Sequence, residues 1–299
     1  MDFEICKKYG KASISEKSPS QLCCLEDHFS LNFEVGSMLD VDMQGIDELF
    51  IETKIFGEYE RDYNRIVQQF RTRQNLFFVD ANLFAKALIS IKYRNIFLLK
   101  SMTDTQLRTI IKGVVVDIRR KILNNELLPT ENFTSRDLID YLDYWEDNAY
   151  KNEDLNRQLF LSTLVVRYHN PNDLINKISN DLLRYTWNIL IADVSNTFIT
   201  TDNPGYCIDR NGSMTNMNFF DYKFYFPLTP LLCIMITDKE IDWNYINNPV
   251  TKDIRYSFVN RSTIDQINYF SRFNINQYLI SHSKQALNTY FLNRNRSPI

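Results

Sequence analysis

The chain has 299 residues, of which 44% are hydrophobic and 24% charged, and its formal net charge is −3. Such a length suits one large domain or about two smaller ones, and the composition favours a packed core over disorder. A charge so near balance gives no case for general nucleic-acid binding. Seven glycines, with no Gly-x-Gly-x-x-Gly and no P-loop pattern, argue against a Rossmann or P-loop phosphate cradle.

The five cysteines are odd in number and include no Cys-x-x-Cys pair. Residues 1–10 lack the apolar stretch of a secretory signal, so reduced thiols and a cytoplasmic location are expected. Vicinal Cys23 and Cys24 are read as small apolar residues. No apolar run approaches the ~18 residues of a membrane span. With 17 Tyr and 21 Phe, some rings are expected at the surface or in a cleft.

In chain order, residues 1–44 read as an irregular lead-in, with Ser13, Ser15, Ser18, Pro19 and Ser20 marking residues 1–20 as loose. From residue 45 to 187 the pattern is helical. Leu49, Phe50, Ile55, Tyr59, Tyr63, Ile66 and Val67 recur at helical spacing, and Ala81 to Leu99 forms a strongly apolar second helix. Thr103 to Gln106 fits a capping box ahead of a long stripe from Leu107 to Leu123. Thr134 opens a helix with Leu138, Tyr141, Leu142 and Trp145 as its expected buried side. Another is expected from Leu155 to Tyr168, and one more from Pro171 to about Trp187.

Residues 188–299 change character. Ile189 to Ala192, Thr197 to Thr201, Tyr222 to Phe226, Leu231 to Thr237 and Tyr278 to Ser281 read as strands, and Asn211-Gly212 as a hairpin turn. Helical pattern returns from Ser262 to Phe273 and from Ser283 to Asn293. Helices first and strands later is the α+β arrangement: a mostly helical N-terminal two-thirds, then a small antiparallel sheet flanked by helices. Residues 188–299 are expected to pack on the helical region as one unit.

Few constellations carry chemistry. His28, His169 and His282 lie far apart and no zinc-ligand spacing occurs, so no metal ligand is assigned. Magnesium needs only carboxylates, and a divalent cation stays open as a cofactor. Glu48 and Glu52, with Glu60 nearby, and the stripe Asp140, Asp143, Asp147 could hold one, but both read more simply as solvated faces. Ser281-His282-Ser283 sets hydroxyls beside an imidazole, yet neighbours on a strand point to opposite faces. The leading candidate is Thr200-Thr-Asp-Asn-Pro204. As a plain turn, Asp and Asn cap their own backbone and Pro fixes the exit. As a site, a strand-end loop presents a carboxylate, an amide and hydroxyls.

Several segments taken in order resemble a known family. They are Ala87-Leu-Ile-Ser-Ile-Lys-Tyr-Arg94, Tyr185-Thr-Trp187, Phe198-Ile-Thr-Thr-Asp-Asn-Pro204, Phe226-Pro-Leu-Thr-Pro230, Val259-Asn260 and Tyr278-Leu-Ile-Ser281. The series, over about residues 45–285, is similar to a bacterial family of unknown function usually marked by an N-terminal His-Tyr-Val-Pro motif. That motif is absent here, with His28-Phe-Ser-Leu-Asn-Phe33 as its remnant. By motif match the resemblance implies Asp202, Asn203 and Arg94 as catalytic candidates and Thr201, Trp187 and Ser281 as binding candidates.

Two functions are expected. The first is an intracellular bacterial effector, with phage defence as its setting, acting on a nucleotide or nucleic acid. Asp202 is base or metal ligand, Asn203 orients the substrate and Arg94 pairs its phosphate. The second is a non-catalytic protein-binding or assembly subunit, possible also as a homo-oligomer, in which the turn is scaffold and exposed rings form the partner surface. Convergence of Arg94, Trp187, Asp202 and Ser281 favours the first; separate hydrogen-bond networks favour the second.

Overall fold

The computed structural model describes residues 3–7, 14–17, 49–93, 104–129, 131–148, 151, 174–215, 223–247, 249–275 and 278–292. Strands β1 (Phe3–Lys7) and β2 (Ile14–Lys17) open the chain. A π-helical turn, Ile51–Phe56, runs into one α turn, Gly57–Glu60. Then come α1 (Tyr63–Arg71), β3 (Leu76–Phe77), α2 (Phe78–Tyr93), α3 (Asp104–Leu123), α4 (Ser135–Asn148) and α5 (Leu174–Arg184). The strand-rich part holds β4 (Tyr185–Ile191), β5 (Thr200–Thr201), β6 (Tyr206–Ile208), β7 (Met214–Thr215), β8 (Lys223–Thr229) and β9 (Leu232–Ile241). Helix α6 (Trp243–Asn247), β10 (Thr251–Lys252), β11 (Ile254–Phe258), α7 (Arg261–Ser271), β12 (Tyr278–Ser281) and α8 (Lys284–Leu292) complete it. The fold is α+β.

The chain divides into two compact units. The first comprises Met1–Leu25, Tyr59–Phe97 and Leu174–Ile299. Its larger sheet has six strands in the order β11-β4-β9-β8-β6-β7, with β11 and β4 parallel and the other described pairs antiparallel. A second, antiparallel sheet runs β2-β1-β12-β5, and β10 pairs with β3 as a separate ribbon. Trp187 and Ile189 of β4 are fully buried, as are Cys233 and Ile234 of β9. Strands covered on both faces read as apolar runs without clean alternation. Phe84 of α2 joins the helices to the sheet: Phe70 meets it edge-on at 5.0 Å, Tyr63 stacks at 5.6 Å and Trp187 lies 5.9 Å away.

The second unit comprises Glu26–Glu58 and Leu98–Asp173. Ile111, Val115, Ile118 and Ile122 give α3 a buried stripe, and Leu138, Leu142 and Trp145 do the same for α4. Thr134 and Asp137 start α4 reciprocally: the Asp137 carboxylate accepts from Thr134 N–H, and Thr134 Oγ1 accepts from Asp137 N–H. Asp140, Asp143 and Asp147 face solvent, and Arg119 takes up Asp143. Among the described residues no helix is long and apolar enough to cross a membrane.

Three boundaries differ from the sequence reading. Tyr185–Trp187 are strand, not the end of a helix, because β4 pairs on both edges, Trp187 with Ile254 and with Ile236. Ladder bonds on two sides outweigh a local helical period. Residues 1–20 include β1 and β2, which pair with each other, and β1 is held by β12 from late in the chain, a partner no local pattern encodes. The sheet is larger than expected and includes the parallel pair β11–β4. The helix expected over residues 155–168 and the cap at Thr103 lie outside the described residues.

Candidate functional site

The Thr200–Gly205 segment leaves β5 and enters β6 within the first unit. Just upstream, at Thr197 and Ile199, Asn268 of α7 stands in for a strand partner. Its Oδ1 accepts from Ile199 N–H at 2.9 Å and its Nδ2 donates to Thr197 O at 2.8 Å. Thr201 Oγ1 donates to Asn274 O and accepts from Asn203 N–H, closing a hydroxyl turn. Asp202 continues the pairing with β12: its N–H donates to Tyr278 O, and its Oδ2 accepts from Tyr278 N–H, both at 3.2 Å.

Asn203 is held at both ends of its amide. Oδ1 accepts from Lys92 Nζ at 2.7 Å, and Nδ2 donates to Asn274 Oδ1 at 2.9 Å. Asn274 Nδ2 donates to Asn203 O and to Gly205 O, each at 2.6 Å. Gly205 O also accepts from Lys92 Nζ at 2.6 Å. Gly205 has φ +77°, and a Cβ there would lie 2.6 Å from Phe226 Cδ2 and 3.1 Å from Tyr225 O. Only glycine meets both demands.

Lys92 comes from the last turn of α2 and is 3% exposed. Burial pulls its pKa down to about 7, with the nearby Cys207 opposing the shift. Two hydroxyls on the adjoining elements, Thr200 Oγ1 of β5 and Ser271 Oγ of α7, are buried without a hydrogen-bond partner. Ser271 lies three residues from both Asn268 and Asn274, on the face of α7 and its extension that meets the turn segment.

The candidates from sequence are placed as follows. Thr201, Asp202 and Asn203 belong to the braced turn. Trp187 is fully buried in β4, and its Nε1 donates to Leu182 O at 2.8 Å. Lys252 Nζ stands 5.9 Å from the Trp187 ring centroid and is paired with Asp242 Oδ2 at 2.5 Å. Ser281, buried at the other end of β12 from Tyr278, accepts at Oγ from Ser283 N–H, and Ser283 Oγ in turn accepts from Ala286 N–H as a helix cap. Arg94 lies outside the described residues. Among the described residues no three His, Cys, Asp or Glu side chains gather as a metal-binding group.

Lys92, Asn268 and Asn274 were not singled out from sequence, though a signal existed. Lys92 lies at helical spacing from Ala85, Leu88 and Ile89, all buried, so it is a lysine on an apolar stripe. Asn268, Ser271 and Asn274 likewise extend the stripe of Ile264 and Ile267. No curated protein and no solved structure matches the chain. A family model matches residues 3–285, and the chain belongs to that family, DUF4238, whose members are proteins of unknown function.

Proposed function

We propose that the chain acts on a phosphate-containing ligand, a nucleotide or nucleic acid, at the Thr200–Gly205 turn, with the Asp202 carboxylate as the reactive base. The observation that carries this reading is the bracing of the turn. Five hydrogen bonds among Lys92, Asn274, Asn203 and Gly205 fix the residues that follow Asp202. A link between two short strands needs far less, whereas a reacting group must be held to within about half an ångström by the residues behind it. The unpartnered hydroxyls of Thr200 and Ser271 add support, because a buried polar atom without a partner calls for an explanation, of which a functional role is one. Asn203 acts through Asp202 in this reading: its amide is spent within the fold and it positions the carboxylate. The setting we attach is a bacterial effector, with phage defence as the phenotype.

The test is a panel of nucleotides and single-stranded nucleic acids, with and without magnesium, scored by chromatography for products. Wild type is expected to convert at least one substrate, and Asp202→Asn to lose about a hundredfold or more in rate while melting at the same temperature. A folded Asp202→Asn protein with full turnover sinks the proposal.

A second reading, a binding or assembly subunit with a structural turn, is favoured by a different observation. Trp187 and Ser281 are spent in separate hydrogen-bond networks. Meanwhile Phe77, Trp243 and Phe258 stand 67%, 64% and 71% exposed, rings available to a protein partner or a second copy. Under this reading Asp202→Asn changes no phenotype, while Phe77→Ser together with Trp243→Ser removes association measured by light scattering.

A further inference from the structure

Lys92 is an amine in the interior whose two acceptors are both uncharged: Asn203 Oδ1 and Gly205 O. A neutral amine carries two N–H hydrogens and an ammonium carries three. Two acceptors therefore match both hydrogens of the neutral form. Among the described residues the ammonium would have one hydrogen unmatched and a buried charge without a counter-ion. Among the described residues no carboxylate hydrogen-bonds to Lys92 Nζ.

The groups facing Nζ from the packed elements point the same way. From the turn come the Asn203 amide oxygen and the Gly205 carbonyl. From the helical extension after α7 comes the Asn274 amide, whose Nδ2 shares Gly205 O and so competes as a donor. From β6 comes Cys207, a buried thiol outside any disulfide, whose charge would favour the ammonium. The contrast is Lys252 in the same unit, also buried, but matched by the Asp242 carboxylate and the Tyr185 carbonyl. Among the described residues one buried lysine has its counter-ion and the other does not.

We propose that Lys92 is a proton-operated latch: as the neutral amine it holds the Thr200–Gly205 turn closed onto α2, and on taking up a proton it releases the turn. The latch stands whether the turn works on a ligand or is part of a scaffold. Its sign follows from linkage. The pKa of Lys92 in the folded chain, about 7, lies below its ordinary 10.5. The unfolded or opened lysine thus binds a proton more readily than the closed one. Closure gains its full support above pH 10.5, loses it as pH falls towards 7, and is weakest below that.

The experiment is hydrogen exchange with mass spectrometry on the full chain, corrected for intrinsic rates, comparing peptides over residues 197–208 with those over β11. In wild type, opening of the turn segment is expected to rise about tenfold per pH unit as pH falls from 10 towards 7, the slope of one proton taken up. The β11 peptide should stay level, and Lys92→Met should remove the slope. Because Lys92→Met is a core change, a second measurement uses wild type alone: carbon-13 shifts of lysine Cε against pH. One buried lysine resonance titrating near neutrality supports the latch. An exchange profile without slope, or every lysine titrating near 10, overturns it.

Discussion

At Gly205 the backbone takes φ +77° directly beneath the Phe226 ring, and at Gly212 it takes φ +81° with open space beside it. The two positions share the left-handed strain a side chain would suffer, and only the first adds a steric clash. Gly205→Ala is expected to destabilise the fold by about 2–4 kcal/mol, and Gly212→Ala by about 1 kcal/mol. Urea unfolding of both variants checks this; equal losses would remove the steric argument. Gly205 is also an acceptor for Lys92 and Asn274, so its displacement should loosen the turn that carries Asp202. The sequence shows Asp-Asn-Pro-Gly as a turn at a glance. It does not show that the turn's acceptors are shared by a lysine 113 positions away in the chain.

Helix α7 is amphipathic in an unusual sense: its buried face carries Asn268 and Ser271 beside Ile264 and Ile267. The helix is capped at Asn260, whose Oδ1 accepts from Thr263 N–H, two residues before the start at Ser262 expected from sequence. Its task is to pair with chain that has no strand neighbour. Asn268→Leu keeps the size but leaves Ile199 N–H and Thr197 O unsatisfied, and should cost about 2–4 kcal/mol. Faster exchange of the Ile199 amide is the specific readout, and an unchanged amide would show that Asn268 is not its partner. Helix α2 is similar. Its apolar run was legible as a helix, but its last turn delivers a lysine to the interior, against the usual preference of lysine for water.

At the scale of the molecule, the first unit gathers three stretches of the chain, and strands from its two ends pair as neighbours. Ile5 lies opposite Ile280, and Cys6 opposite Leu279. Deleting residues 1–17 should leave one edge of β12 unpaired. Amide exchange at Leu279 and Ile280 is then expected to quicken about tenfold or more, with β4 amides unchanged. Equal protection in the shortened chain would mean that β1 contributes nothing to the sheet. The same pairing matters to the candidate site, because β12 also holds β5 and, through Tyr278, the Asp202 carboxylate.

What the sequence determined by itself was local. Helix periodicity in α2, α3 and α4, the Thr134 cap, the β9 and β12 runs and the Thr-Thr-Asp-Asn-Pro turn follow from spacing and side-chain chemistry within a few residues. The α+β class followed from their order. Tertiary structure alone decided which strands are neighbours and which polar groups share a hydrogen. It made Tyr185–Trp187 a strand through partners on both edges, turned residues near the N-terminus into β1, and took Trp187 and Ser281 into networks of their own. It also joined Lys92 and Asn274 at the Gly205 carbonyl, with the Asn203 amide bonded to both. The physical reason is that strand pairing and buried hydrogen bonds are set by distant partners, whose positions leave no periodic trace near either residue.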